Sequence, residues 1–262
     1  MNALLFIPFI VLEGLLIQNE TVHNDLAVLE CENKNALSLR PFGKDKVIFD
    51  LEVDSLPILY AENAIIITEN GDVIEGKNNA YKFKISQGSD FQDVETLALF
   101  NANERRGLEY EIRESKSKSN ILYKSLIIWK KTDDIREREF EITIESHKNS
   151  LDLAVLDMRR EEWMKYCNAH DVEGLVKELY STNTMYYNHK PIIRGYEDLI
   201  KEYDYMNNEK YSLILEPLIV ETVKDDFIFE IGQCKEGYNG KYVLIWKKDA
   251  DGKWRIFIDS NI

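Results

Sequence analysis

Two stretches of this chain repeat each other, and no other feature limits its fold so tightly. Residues 124–140 read KSLIIWKKTDDIREREF and residues 241–257 read KYVLIWKKDADGKWRIF. Eight of the 17 ungapped positions are identical, including Trp129/Trp246, Arg138/Arg255 and Phe140/Phe257. Ordinary residue frequencies would give about one. An earlier block agrees with one gap. Leu59-Tyr60-Ala61-Glu62-Asn63 runs through Ile65-Ile66-Ile67 to Gly76, and Leu179-Tyr180-Ser181-Thr182-Asn183 runs through Met185-Tyr186-Tyr187 to Gly195. From Gly76 to Lys124 is 48 residues, and from Gly195 to Lys241 is 46. A chain that repeats both pattern and spacing is read as a duplicated domain. The expected boundaries are 1–148 for a divergent first domain with an extra N-terminal arm, and 149–262 for the second.

The second copy reads more easily. Leu156, Trp163 and Cys167 share one stripe of a helix over 152–168, with Arg159, Arg160, Glu161 and Glu162 mostly opposite. Asp171 is placed to cap a second helix over 172–180. A short strand is expected at 184–188, and Gly195 precedes a third helix over 196–206. Four strands follow at about 211–222, 226–235, 240–248 and 253–260, the last three joined at Asn239-Gly240 and Asp251-Gly252. Helices followed by an antiparallel meander predict an α+β fold. Strand 240–248 is apolar on both faces, Tyr242, Leu244 and Trp246 alternating with Val243 and Ile245. It must therefore be covered on both faces, and the first copy's sheet is the expected cover, giving an intrachain pseudo-dimer. The first copy is less regular. Ile135 and Glu137 replace Gly252 and Trp254, which predicts an exposed or frayed last strand.

Charge and composition remove several classes of function. The formal net charge is −14 and neither half has a basic block, which argues against a nucleic-acid partner. Cys31, Cys167 and Cys234 form no CxxC pair, and the four histidines form no HxxxH pair. Neither a disulfide scaffold nor a zinc signature is expected. No phosphate loop, dinucleotide fingerprint or nucleophile elbow occurs, so no cofactor and no metal is expected. Residues 3–17, ALLFIPFIVLEGLLI, are apolar but lack a preceding Lys or Arg and carry Glu13. They are too short to span a bilayer, so no membrane insertion is expected. They read as a buried element of a cytoplasmic protein, the alternative being residues 1–17 as a degenerate export signal.

The pattern RREEWMKYCNAHDVEGLVKELYSTNT … IIRGYEDLIKEY … GKYVLIWKKDADGKWRIFIDS covers nearly all of 150–262 and resembles the SnoaL-like branch of the nuclear transport factor two-like superfamily. The resemblance implies two tandem cone-shaped α+β domains, each a curved antiparallel sheet wrapped around N-terminal helices. It implies a pocket at the wide end, and in the family's enzymes a pocket carboxylate shuttles protons while Tyr or Asp donors polarise the substrate. Carried onto this chain, the candidate catalytic groups are Glu230, Asp259 and Asp171. The candidate pocket walls are Trp163, Tyr180, Tyr187, Tyr203 and Trp246. An apolar pocket would raise a carboxylate's pKa toward neutrality.

Each candidate also has an ordinary reading. Asp171 serves as a helix cap. Trp246 packs a core. Glu230 is an outward residue of the strand Phe227-Ile228-Phe229-Glu230-Ile231, or else faces inward among those apolar neighbours. Three functions follow from the same scaffold. The first is binding of a small hydrophobic molecule. The second is acid–base catalysis of the isomerase, dehydratase or cyclase kind. The third is a non-catalytic association module, as an intrachain pseudo-dimer or a homodimer. The first copy offers no obvious matching set, so any activity is expected in the second.

Overall fold

The computed structural model describes residues 39–41, 47–49, 59–87, 91–132, 135–147, 151–237 and 239–261. Residues 1–17, Cys31 and most of the N-terminal arm lie outside them. Everything that follows concerns the compact unit that begins at Leu39.

After a small antiparallel hairpin, β1 (Leu39–Pro41) and β2 (Val47–Phe49), the first half supplies β3 (Tyr60–Ile67), β4 (Val73–Glu75) and helix α1 (Lys77–Ser86). It continues with β5 (Phe91–Asn103), β6 (Leu108–Ser117), β7 (Leu122–Thr132) and β8 (Ile135–Ser146). The second half opens with two helices, α2 (Ala154–Asn168) and α3 (Val172–Leu179). Then come β9 (Tyr180–Tyr187), β10 (Ile193–Arg194) and α4 (Gly195–Glu202). The strands β11 (Leu213–Lys224), β12 (Phe227–Glu236), β13 (Lys241–Lys248) and β14 (Trp254–Asn261) complete it.

The two sheets have the same strand order, β4-β3-β8-β7-β6-β5 and β10-β9-β14-β13-β12-β11. This is the outcome a duplication requires. Neither sheet is wholly antiparallel, contrary to the expectation from the sequence. The first strand of each joins the last in parallel, β3 beside β8 and β9 beside β14. The long path through α1 or α4 and three strands permits this, since a parallel pair needs a crossover rather than a tight turn.

Even the irregularities repeat. The β7–β8 ladder slips between Ile128 and Trp129, and the β13–β14 ladder slips between Ile245 and Trp246. Ile128 faces Phe140, and Ile245 faces Ile258. By register, Phe140 therefore corresponds to Ile258 rather than Phe257, Arg138 to Ile256 and Arg136 to Trp254. The identities Arg138/Arg255 and Phe140/Phe257 in the ungapped match are out by one position, because the second half's last hairpin is one residue longer. β8 is neither frayed nor exposed as expected, since Arg138, Glu139, Phe140 and Glu141 are all buried.

The sheets pack face to face through one apolar layer of 20 buried residues, ten from each half. Leu126, Ile128, Phe140 and Ile142 meet Phe227, Phe229, Val243 and Ile245 there. β13 thus has both faces covered, Val243 and Ile245 by the other sheet and Tyr242, Leu244 and Trp246 by the helices. The opposite face of the second sheet holds α2, α3 and α4. Among the described residues no helix is long and apolar enough to cross a membrane.

Candidate functional site

The interior of the second cone is built where α2 and α4 meet the concave face of β12, β13 and β14. α2 presents Leu156, Arg160, Trp163 and Cys167, spaced i, i+4, i+7 and i+11, as one buried stripe. Arg160 belongs to that stripe and not to the solvent face on which the sequence reading placed it. Glu230, Leu244 and Asp259 stand in one register row across β12, β13 and β14. The two carboxylates therefore project from the same face, two strand spacings or about 10 Å apart.

Glu230 points toward the helices and is fully buried, not outward. It does not lie among Phe227, Phe229 and Ile231, because strand alternation sends those three to the other sheet. Its Oε1 accepts from the Tyr242 hydroxyl at 2.8 Å, and its Oε2 accepts from Trp246 Nε1 at 2.8 Å. Arg160 Nε lies 3.3 Å from Oε1. Burial raises the Glu230 pKa, and Arg160, Tyr242 and Trp246 offset part of that rise. Asp259 Oδ2 accepts from Tyr180 at 2.7 Å and from Tyr203 at 2.5 Å. Trp163 Nε1 donates to the Tyr180 oxygen at 3.0 Å. With no cation beside it among the described residues, Asp259 is pushed by burial up to about 6, although both phenols stabilise its anion.

Gly232 makes room for this arrangement. A Cβ there would lie 2.1 Å from the tip of the Tyr242 ring. Gly232→Ala is expected to push Tyr242 off Glu230 and to cost about 1–3 kcal/mol by overpacking. An unchanged urea midpoint would refute that account.

Trp163, Tyr180, Tyr203, Trp246, Glu230 and Asp259 thus come together, and two other candidates do not. Tyr187 lies on the opposite face, stacked on Phe140 at 5.5 Å and donating to Glu139 Oε1 at 2.9 Å across the sheet interface. Asp171 is exposed and caps α3, its Oδ1 accepting from Gly174 N at 2.9 Å. That bond is the ordinary capping role, and Asp171 is not part of the buried cluster.

The first half holds a matching set that the sequence reading missed. Glu111, Ile127 and Glu141 form the same register row as Glu230, Leu244 and Asp259. Trp129 Nε1 donates to Glu111 as Trp246 does to Glu230, and Tyr60 donates to Glu141 at 3.0 Å as Tyr180 does to Asp259. Tyr60 and Trp129 were visible in the repeat. Glu111 was legible in the alternation of Leu108, Tyr110 and Ile112 with Glu109 and Glu111.

The two pairs differ in their countercharges. Glu141 meets Arg138 at 2.7 Å and also Lys84, and Glu111 meets Arg113 at 2.9 Å. Burial acts to raise both pKa values, but these cations win and hold both carboxyls below their ordinary range. Among the described residues no group of three His, Cys, Asp or Glu could hold a metal ion.

The elements define a tandem of two α+β cones. No family model matches the chain, and no curated protein does. Solved structures of nuclear transport factor two-like and ketosteroid isomerase-like proteins are similar to it. One is an NTF-2 like protein of unknown function from Shewanella oneidensis MR-1, 13% identical, covering 42% of this chain and 98% of that one, with a TM-score of 0.38. Another is a ketosteroid isomerase-like protein from Erwinia carotovora atroseptica SCRI1043, 16% identical, covering 43% and 95%, with a TM-score of 0.36. A third is a putative ketosteroid isomerase from Shewanella frigidimarina NCIMB 400, 17% identical, covering 40% and 93%, with a TM-score of 0.33. At these scores they say nothing about activity, and the two-cone description rests on the chain's own strand order and packing.

Proposed function

We propose that this chain is a SnoaL-like tandem, with domains at 1–148 and 149–262, that works as a preassembled association module rather than as an acid–base enzyme of its second cone. One observation carries the proposal. Trp163, Tyr180, Tyr203, Tyr242, Trp246, Glu230 and Asp259 are all at most 5% exposed. Both oxygens of Glu230, and Oδ2 of Asp259, already accept bonds from those side chains. Rings buried to this degree occupy the interior that a small hydrophobic molecule would need, and a general base with both oxygens already engaged, as in Glu230, is poorly placed to take a proton from a substrate. The sheet faces that homodimers of such folds would use are spent within the chain.

The test is a thermal-shift series with apolar ketones, lactones and a hydrophobic dye, on the wild type and on Glu230→Gln. The expected result is no saturable shift with any of them. A saturable shift that Glu230→Gln abolishes would restore the ligand-binding reading.

The second reading, acid–base catalysis, is favoured by the raised pKa values of Glu230 and Asp259 on one face. Turnover of any ketone or lactone in that series, lost in Asp259→Asn, would select it over the first.

A further inference from the structure

The halves can be compared position by position, because their ladders share one register. Arg113 pairs with Ser125 as Gly232 pairs with Tyr242, so Arg113 stands where the second half has Gly232. Arg136 stands where it has Trp254, and Arg138 where it has Ile256. The same fold therefore closes over the same Trp–Glu and Tyr–carboxylate pairs with a glycine, a tryptophan and an isoleucine at those places. The three arginines are not needed to build it.

They surround one ring. The guanidinium carbons of Arg136, Arg138 and Arg113 lie 4.2, 5.2 and 5.5 Å from the centroid of Trp129. Arg113 and Arg138 spend one edge each on Glu111 and Glu141. Among the described residues, Arg113 Nε and Arg138 Nε are buried without a hydrogen-bond partner, and Arg136 Nη2 has only Glu111 Oε2, at 3.6 Å. A buried donor left unpaired is costly, so two such donors and a loosely held third around one indole mark a place where an acceptor fits. The local charge agrees. Among the described residues, Lys84, Arg113, Arg136 and Arg138 face Glu109, Glu111 and Glu141, four cations against three anions, in a chain of net charge −14. The Arg136 side chain is 26% exposed, the most of the three.

We propose that the concave face of the first half binds a small molecule bearing one carboxylate, held by Arg113, Arg136 and Arg138 around Trp129. Guanidinium edges match a carboxylate in geometry, and one excess positive charge matches a monoanion. The site is independent of the second cone and of whether that cone is closed.

The experiment is isothermal titration of the full chain with acetate, benzoate and inorganic phosphate in low-chloride buffer. Saturable binding of acetate or benzoate is expected, weakening with salt. Arg136→Gln, at the most exposed of the three, should weaken it at least tenfold, whereas Arg255→Gln, on β14, should leave it unchanged. Arg113→Lys keeps the charge but loses the fork; it is expected to weaken binding too, and it decides the matter if Arg136→Gln does not fold. The proposal is overturned if the wild type binds none of the three probes. Binding undiminished in the variants overturns it, and so does a preference for phosphate over both carboxylates.

Discussion

Glu141→Leu is expected to lower the stability of the chain by about 3–5 kcal/mol, the range for breaking a buried ion pair from one side. Glu141 is 1% exposed and accepts from Tyr60, Arg138, Lys84 and Thr143. Leucine would leave Arg138 and Lys84 as buried cations without their shared countercharge. A second substitution, Arg138→Ile, copies the second half's Ile256 and should recover part of the loss, because removing both charges is far cheaper than removing one. Urea denaturation with unchanged slope measures both. A loss below about 1 kcal/mol for Glu141→Leu would place the pair among weak surface bridges. Because its pKa is depressed in the fold, Glu141 stabilises the protein above the ordinary carboxylate range. That contribution is lost as pH falls through the folded value.

Asp259 has the opposite sign. Its pKa rises from 3.8 to about 6, so between those values the folded chain holds a proton that the unfolded chain has released. The stability it contributes is present below the lower value and is lost as pH climbs to the upper one. Two units amount to about 3 kcal/mol. Asp259→Asn removes the titration and keeps an oxygen for Tyr180 and Tyr203. The stability of Asp259→Asn relative to wild type is therefore expected to drop by up to about 3 kcal/mol as pH is lowered from about 7 to about 4. Paired denaturation curves at several pH values measure it, and a difference independent of pH would show that Asp259 titrates normally. Glu141 and Asp259 occupy equivalent positions, so the two halves respond to acid in opposite directions.

What could be read from the sequence was whatever depends on local pattern. The repeat, the helix stripe of Leu156, Trp163 and Cys167, the Asp171 cap and the two apolar faces of β13 follow from spacing alone, and all appear in the fold. The parallel pairing of β9 with β14 did not follow, because it joins strands separated by the whole half. The orientation of Glu230 stayed open for a related reason. With both faces of β12 buried, alternation no longer distinguishes inside from outside, so only the partners Arg160, Tyr242 and Trp246 decide it. The arginines at 113, 136 and 138 carry no local pattern that marks them, and only register aligns them with Gly232, Trp254 and Ile256. A one-residue difference in the hairpin length was enough to hide that alignment.

The shared apolar layer also affects how the protein is made. The first sheet has all its strands once Ser146 is synthesised, yet half of its covering layer comes from β9 and β11 to β14. At ordinary elongation rates those strands take on the order of ten seconds to appear. During that interval Leu126, Ile128, Phe140 and Ile142 form an apolar, strand-rich surface whose partners Phe227, Phe229, Val243 and Ile245 are not yet made. Two nascent chains on one message present the same surface to each other at that moment. Exposed strand-rich surface of this kind is prone to misassembly, so such pairing is most favoured between copies of the first half before β9 and β11 to β14 are made.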